Sequence, residues 1–144
     1  MIVFFDDEAG FVGNYIRAVQ SDGWDTRYAG TVESLLLTLA EVEAEGPLSD
    51  DHVIVVDIMI PVRTGIAANI PSRLEVGIGV IELYLIDSLR QGNLKVIILT
   101  NKNPQLVQAS LSEIGVYTDE IPVWTKNEVS ALHFPHKLEE FLNG

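Results

Sequence analysis

The chain has 144 residues, a formal charge of −12 and a pI near 4.4, yet 47% of its residues are hydrophobic and its mean hydropathy is +0.23. The length suits one domain, and the acidic but apolar balance excludes charge-driven disorder and, for want of clustered Lys and Arg, direct nucleic-acid binding. Cysteine is absent, which removes disulfides, thiol catalysis and thiolate zinc sites.

The charge is uneven. Residues 1–60 hold 12 acidic and two basic residues, whereas residues 61–144 hold nine and seven. The run Met1 to Phe5 is too short for a signal peptide, and no run approaches the roughly 20 apolar residues of a membrane span. A soluble cytoplasmic protein without membrane contact is the expectation.

In chain order, Ile2-Val3-Phe4-Phe5 reads as a strand that stops at Asp6. Val12, Tyr15, Ile16 and Val19 then recur at helical spacing over residues 10–20. Ser21-Asp22-Gly23 is a turn, and Trp24 to Tyr28 a short strand. Thr31 is an N-cap for a helix to about Ala44, with Val32, Leu35, Leu36, Leu39 and Val42 inward, and Gly46-Pro47 ends it. His52 to Val56 is a β-branched run of the kind a strand buried on both faces requires. Val80 to Leu89 reads as a helix, and Lys95 to Leu99 as another buried strand. Asn103 caps a helix with Pro104 at its first position and Gly115 beyond its end. Ile121 to Trp124 is a short strand. A last helix covers about Ser130 to Leu142, with Leu138, Phe141 and Leu142 inward and Pro135 in its first turn or delaying its start.

The order is β-α five times, which predicts a doubly wound α/β fold with a parallel sheet and helices on both faces. Ligands in such sheets bind beyond the carboxyl ends of the strands. Those ends carry Asp6-Asp7-Glu8, Asp57, Thr100 and Lys126. Carboxylates packed together repel, so the cluster calls for a cation, and a hard, oxygen-loving one such as Mg²⁺ fits while leaving room for phosphate oxygens. A lone Asp after a strand is usually a turn former. Four such ends in the right order are hard to obtain by chance.

Val3-Phe4-Phe5-Asp6-Asp7-Glu8, Val55-Val56-Asp57-Ile58-Met59-Ile60-Pro61, Ile97-Ile98-Leu99-Thr100 and Trp124-Thr125-Lys126 together resemble a response-regulator receiver domain of two-component signalling, the CheY-like family. The resemblance covers essentially all of residues 1–144, read as one receiver domain. It implies a (βα)5 flavodoxin-like sandwich with a five-stranded parallel sheet in the order 2-1-3-4-5. It implies that Asp57 accepts a phosphoryl group from a histidine of a sensor kinase or histidine phosphotransfer protein. Asp7 and Asp57 would bind Mg²⁺ directly with the Met59 carbonyl, and Asp6 would act mainly through water. Thr100 would hydrogen-bond one phosphoryl oxygen and Lys126 would pair with another. The expected output is a switch in contacts with a downstream protein, with at most weak self-phosphorylation and autophosphatase activity. The chain would act alone or as one module of a longer protein.

Four features depart from the family pattern. Asn101 replaces a small residue and would crowd the route to the acyl phosphate. Asn127 replaces a cis-proline, so a trans peptide is expected. Val123 occupies the aromatic switch position, while Trp124 faces the other way by strand alternation. Finally, the loop after the third strand runs about twenty residues from Ile58, with an insertion at about 62–78, a length more often functional than idle. A lid, a partner contact and an inert excursion all remain open for it. Gly65 stands where the family's glycine would, counted from Asp57, and Gly79 does so counted back from the helix. The apolar helix that follows needs cover on a second side, from the insertion or from a homodimer partner.

These departures support an alternative: a receiver-like binding module that signals without phosphorylation. A phosphohydrolase with an aspartate nucleophile would need a second acid two residues after Asp57, where Met59 stands. His133-x-x-His136 lacks a third ligand and reads as a surface pair. Gly77-Ile78-Gly79 is too short a glycine motif for nucleotide binding. Glu41, Glu43, Glu45, Asp50 and Asp51 read as a solvated face.

Overall fold

The computed structural model describes residues 1–61, 63–117 and 119–144. Five strands form one parallel sheet: β1 (Ile2–Phe5), β2 (Thr26–Ala29), β3 (Val53–Val56), β4 (Lys95–Thr100) and β5 (Val123–Thr125). Their order is β2-β1-β3-β4-β5, so the expected 2-1-3-4-5 flavodoxin-like arrangement holds. Phe5 lies beside Val56, Val56 beside Ile98, and Thr100 beside Thr125. This register brings the residues after β1, β3 and β5 to one edge.

The helices are α1 (Ala9–Ser21), α2 (Val32–Glu45), α3 (Val76–Val80), α4 (Ile86–Arg90), α5 (Pro104–Glu113) and α6 (Phe134–Asn143). Their starts follow from local chemistry. The Thr31 hydroxyl accepts from Ser34 N–H, and the Ser34 hydroxyl accepts from Thr31 N–H, a closed capping box. The Asn103 side chain accepts from Gln105 N–H, with Pro104 at the first helical position. Gly115 leaves α5 at φ +77°, a conformation that favours glycine.

The sheet separates two cores. On one face Val3, Phe5, Ile54, Val56, Val96 and Ile98 meet Leu35 of α2 and Val107 and Leu111 of α5. On the other Phe4, Val55, Ile97 and Trp124 meet Tyr15 and Val19 of α1 and Phe134 of α6. Phe134 is the hub of the second core, with ring centroids 5.5 Å from Tyr15, 5.8 Å from Trp124 and 5.9 Å from Phe4. Val123 packs against the first core, so Val123 and Trp124 do point to opposite faces.

Segment 58–75 differs most from a plain loop. Val62, at the start of the expected insertion, lies outside the described residues. A 3-10 helix spans Gly65–Asn69, and Ala67, Ile70 and Leu74 are buried in the first core. Gly65 has φ +59°, and Ile66 N–H donates to the Glu33 carboxylate of α2 at 2.5 Å. The Arg63 guanidinium donates to the carbonyls of Ile70 (3.2 Å), Pro71 (3.5 Å) and Leu74.

The helix expected from Val80 begins earlier, at Val76. It continues through a π-turn (Ile81–Leu85) into α4. Glycine would ordinarily cost a helix about 1 kcal/mol per residue. Here Gly77 and Gly79 allow close approach instead. A Cβ on Gly77 would stand 2.6 Å from the Asp57 carbonyl oxygen, and one on Gly79 would overlap Ile70. Residues 76 to 81 are therefore buried all round, and Ile70 supplies part of their second-side cover. Beyond the π-turn's start, Leu83 and Tyr84 face solvent.

Candidate functional site

Each sequence-identified side chain sits at the carboxyl edge of the sheet because its strand ends there. Asp6 follows β1 and is 3% exposed; Asp57 follows β3 and is 6% exposed; Lys126 follows β5 and is 7% exposed. Thr100 ends β4 and is fully buried. Asp7 is half-buried, and Glu8 is exposed.

Lys126 ties the cluster. Its Nζ lies 3.0 Å from Asp6 Oδ2 and 3.5 Å from Asp57 Oδ2, and it stands 4.8 Å from the centre of the Phe11 ring. The other carboxylate oxygens are also engaged: Glu8 N–H donates to Asp6 Oδ1 at 2.8 Å, and Met59 N–H donates to Asp57 Oδ1 at 3.2 Å. Burying a charge demands such partners. Burial pushes the Asp57 carboxyl up, Lys126 pulls it down, Asp6 pushes it up again, and the net direction is up. Burial pulls the Lys126 ammonium down, but Asp57 and Asp6 outweigh it, so the lysine stays protonated above its ordinary range.

The loops that carry these residues are fastened from below. Tyr28 Oη donates to the Asp6 carbonyl at 2.6 Å. Tyr15 Oη lies 2.7 Å from the Val129 carbonyl and 3.4 Å from that of Lys126, tying α1 to the loop after β5. Among the described residues no peptide bond is cis, so Lys126 and Asn127 are joined by a trans peptide as expected. Thr100 Oγ1 accepts from Lys102 N–H at 3.2 Å.

Asp6, Asp7 and Asp57 each bring a carboxylate oxygen within 4.8 Å of the others. The set is all-oxygen and carries three negative charges, with Lys126 the ammonium paired into it. That chemistry fits a hard divalent cation of the Mg²⁺ kind. Above it opens a cavity of about 280 Å³ lined by Asp7, Asp57, Met59, Glu75, Asn101 and Lys126, among others. The exposed Asn101 lies on that wall, where sequence reasoning set it as an obstacle to the acyl phosphate.

Sequence reasoning assigned Asp6 to water-mediated metal contact, and did not foresee that Asp6 is the shorter of the two Lys126 pairs. It also missed Tyr15, Tyr28, Glu75 and Lys102. None of these carries a spacing signal, because each reaches the site through the folded chain. His136 pairs with Glu140 at 2.9 Å on the exposed side of α6, and the only group of three potential metal-binding side chains among the described residues is the Asp6, Asp7 and Asp57 set. Glu41, Glu43, Glu45, Asp50 and Asp51 are all exposed. No helix among the described residues is long and apolar enough to cross a membrane.

No protein-family model and no curated protein matches the chain. Solved structures do. A CheY-like response regulator receiver domain protein from Methanospirillum hungatei JF-1 superposes with a TM-score of 0.62 at 16% identity, covering 99% of this chain and 92% of that one. The receiver domain of NtrX from Brucella abortus gives 0.62 at 19% identity, covering 99% and 98%. The chemotaxis protein CheY4 of Vibrio cholerae gives 0.63 at 14% identity, covering 97% and 96%. The chain thus has the fold of response-regulator receiver domains along nearly its whole length.

Proposed function

We propose that this protein is a phosphoryl-accepting switch, with Asp57 as the acceptor. The observation that carries the reading is the Lys126 ammonium held between Asp6 and Asp57 at the sheet edge, with Thr100 ending the neighbouring strand. In the reaction an Asp57 carboxylate oxygen bonds to the phosphorus of a phosphohistidine, the phosphorus–nitrogen bond breaks, and the histidine nitrogen leaves with its electron pair. Little covalent work falls to the protein, so positioning and charge neutralisation carry the catalysis.

Lys126 neutralises charge that builds on the phosphoryl oxygens, and Thr100 donates its hydroxyl to one of them. Asp6, Asp7 and Asp57, with the Met59 carbonyl, would hold Mg²⁺, which when bound would offset the negative charge of the attacking carboxylate and of the phosphoryl oxygens. The added group brings about −1.5 to −2 charge. Turning Thr100 toward it breaks the bond from Lys102 N–H and frees the loop after β4, the element through which a downstream protein would sense the change.

Residues 1–144 act in this reading as one receiver unit, with about 62–78 as its insertion. The donor is a sensor histidine kinase or a histidine phosphotransfer protein, and the setting is the cytoplasm, where such kinases present their phosphohistidine. The test is to incubate the protein with Mg²⁺ and acetyl phosphate and weigh it intact. One phosphoryl increment that needs Mg²⁺ and disappears in Asp57→Asn supports the reading. No increment from small donors or from purified histidine kinases favours a binding module that works unphosphorylated.

A further inference from the structure

Segment 63–75 reaches the cavity through Glu75. Leu74 and Val76 on either side of it are 2% and 0% exposed, so its backbone has a fixed seat. The Glu75 carbonyl accepts from Gly79 N–H at 3.0 Å, and Gly77 N–H donates to the Ile58 carbonyl at 3.2 Å, next to Asp57. Arg63 clasps the carbonyls before it, which further fixes the Glu75 backbone. The Glu75 side chain lines the cavity, and its Oε1 lies 3.1 Å from Lys102 Nζ. Lys102 comes from the loop after β4, whose N–H holds the Thr100 hydroxyl. The pair thus bridges the segment after β3 and the loop after β4 at the mouth of the site.

The cavity walls carry four carboxylates, Asp7, Glu8, Asp57 and Glu75, against the ammonium of Lys126. A bound divalent cation and Lys126 would offset three of these four charges, and the excess negative charge at the Glu75 side still faces an anionic phosphodonor at the entrance. Glu75 and Lys102 are both partly exposed, and their field therefore reaches an approaching donor through water.

We infer that Glu75 and Lys102 form a charge gate that determines which phosphodonors the site admits. Glu75 disfavours small, doubly charged acyl phosphates, and Lys102 offsets that repulsion. A phosphohistidine carried by a docked protein draws its binding energy from the protein surface and depends on the gate less. The inference rests on the phosphoacceptor reading and names the specificity of that same site.

The test compares rates of Asp57 phosphorylation, read by intact mass at saturating Mg²⁺, for wild type, Glu75→Gln, Lys102→Met and the double variant. With acetyl phosphate, Glu75→Gln is expected to be faster and Lys102→Met slower, each by about threefold, the scale of one unit charge acting through water over several ångströms. The double variant returns close to wild type. Both effects shrink with phosphoramidate, which carries less net charge, and at about 1 M salt, where screening acts within about 3 Å. Equal rates, changes in the same direction, or effects indifferent to salt overturn the gate. If wild type forms an adduct and the variants match it, only the gate falls; if wild type forms none with any donor, the phosphoacceptor reading falls and takes the gate with it.

Discussion

At the carboxyl edge of the sheet Asp6, Asp57 and Lys126 are paired with one another although each is more than nine-tenths buried. At the amino edge Asp25 and Asp51 lie in the open. There, burial and the N-terminal ammonium lower the pKa of His52, and its Nδ1 has no partner among the described residues. One edge keeps buried charge by pairing; the other sheds charge or leaves it to water. The amino-edge arrangement needs no ligand. The carboxyl-edge arrangement brings three carboxylates together against one ammonium, and a divalent cation would complete the unfinished balance.

The sharpest way to break this contrast is to remove the lysine. Lys126→Met leaves Asp6 and Asp57 buried without their cation and is expected to cost about 3 kcal/mol at pH 7 by urea unfolding. The loss should narrow on acidification as Asp57, whose carboxyl burial already pushes up, takes up its proton. Lys95→Met, at the amino edge, should stay within about 0.5 kcal/mol.

Mg²⁺ should act on one edge alone. At about a hundred times its dissociation constant it should add about 2.7 kcal/mol to wild type. Asp7→Asn should lose most of that gain, and Asp25→Asn none of it. Thermal melts with and without the metal, at constant ionic strength, check both.

A smaller effect concerns Asp57 itself. Its folded pKa is raised, chiefly by burial, so ionised Asp57 weakens the fold above that pKa. The penalty fades as pH falls toward the unfolded value near 4. Asp57→Asn should therefore be more stable than wild type at pH 7 without Mg²⁺, by on the order of 1 kcal/mol, and the gap should close on acidification. Lys126 carries the opposite sign: its raised pKa gives stability present below about pH 10.4 and lost as pH rises through the folded value.

Smallest is the effect of the support beneath the site. Tyr15→Phe removes the hydroxyl bond to the Val129 carbonyl and should cost about 1 kcal/mol or less. It should also slow phosphorylation of Asp57 more than it lowers stability, because the loop it frees carries Lys126.

Much of this was legible in the sequence where physics acts locally. The β-branched runs at residues 53–56 and 96–98 gave the buried strands, Thr31 and Asn103 gave the helix starts, and polar residues following apolar runs gave the site. Segment 58–75 and the start of α3 were not legible. Gly77-Ile78-Gly79 looks like a loop by propensity, yet the two glycines let a helix press against the Asp57 backbone and Ile70. That reason lies in residues distant in sequence, as does the pairing of Glu75 with Lys102. Trp124 and Val123 were the opposite case, since strand alternation alone placed them on opposite faces.

The most direct test of the account is the identity of the phosphorylated atom. An acyl phosphate on aspartate is reduced by borohydride to homoserine, which peptide mass mapping locates. After treatment with Mg²⁺ and a phosphodonor, the account predicts homoserine at position 57 and nowhere else; homoserine at position 6 or 7, or phosphate retained on a serine or threonine, would contradict it.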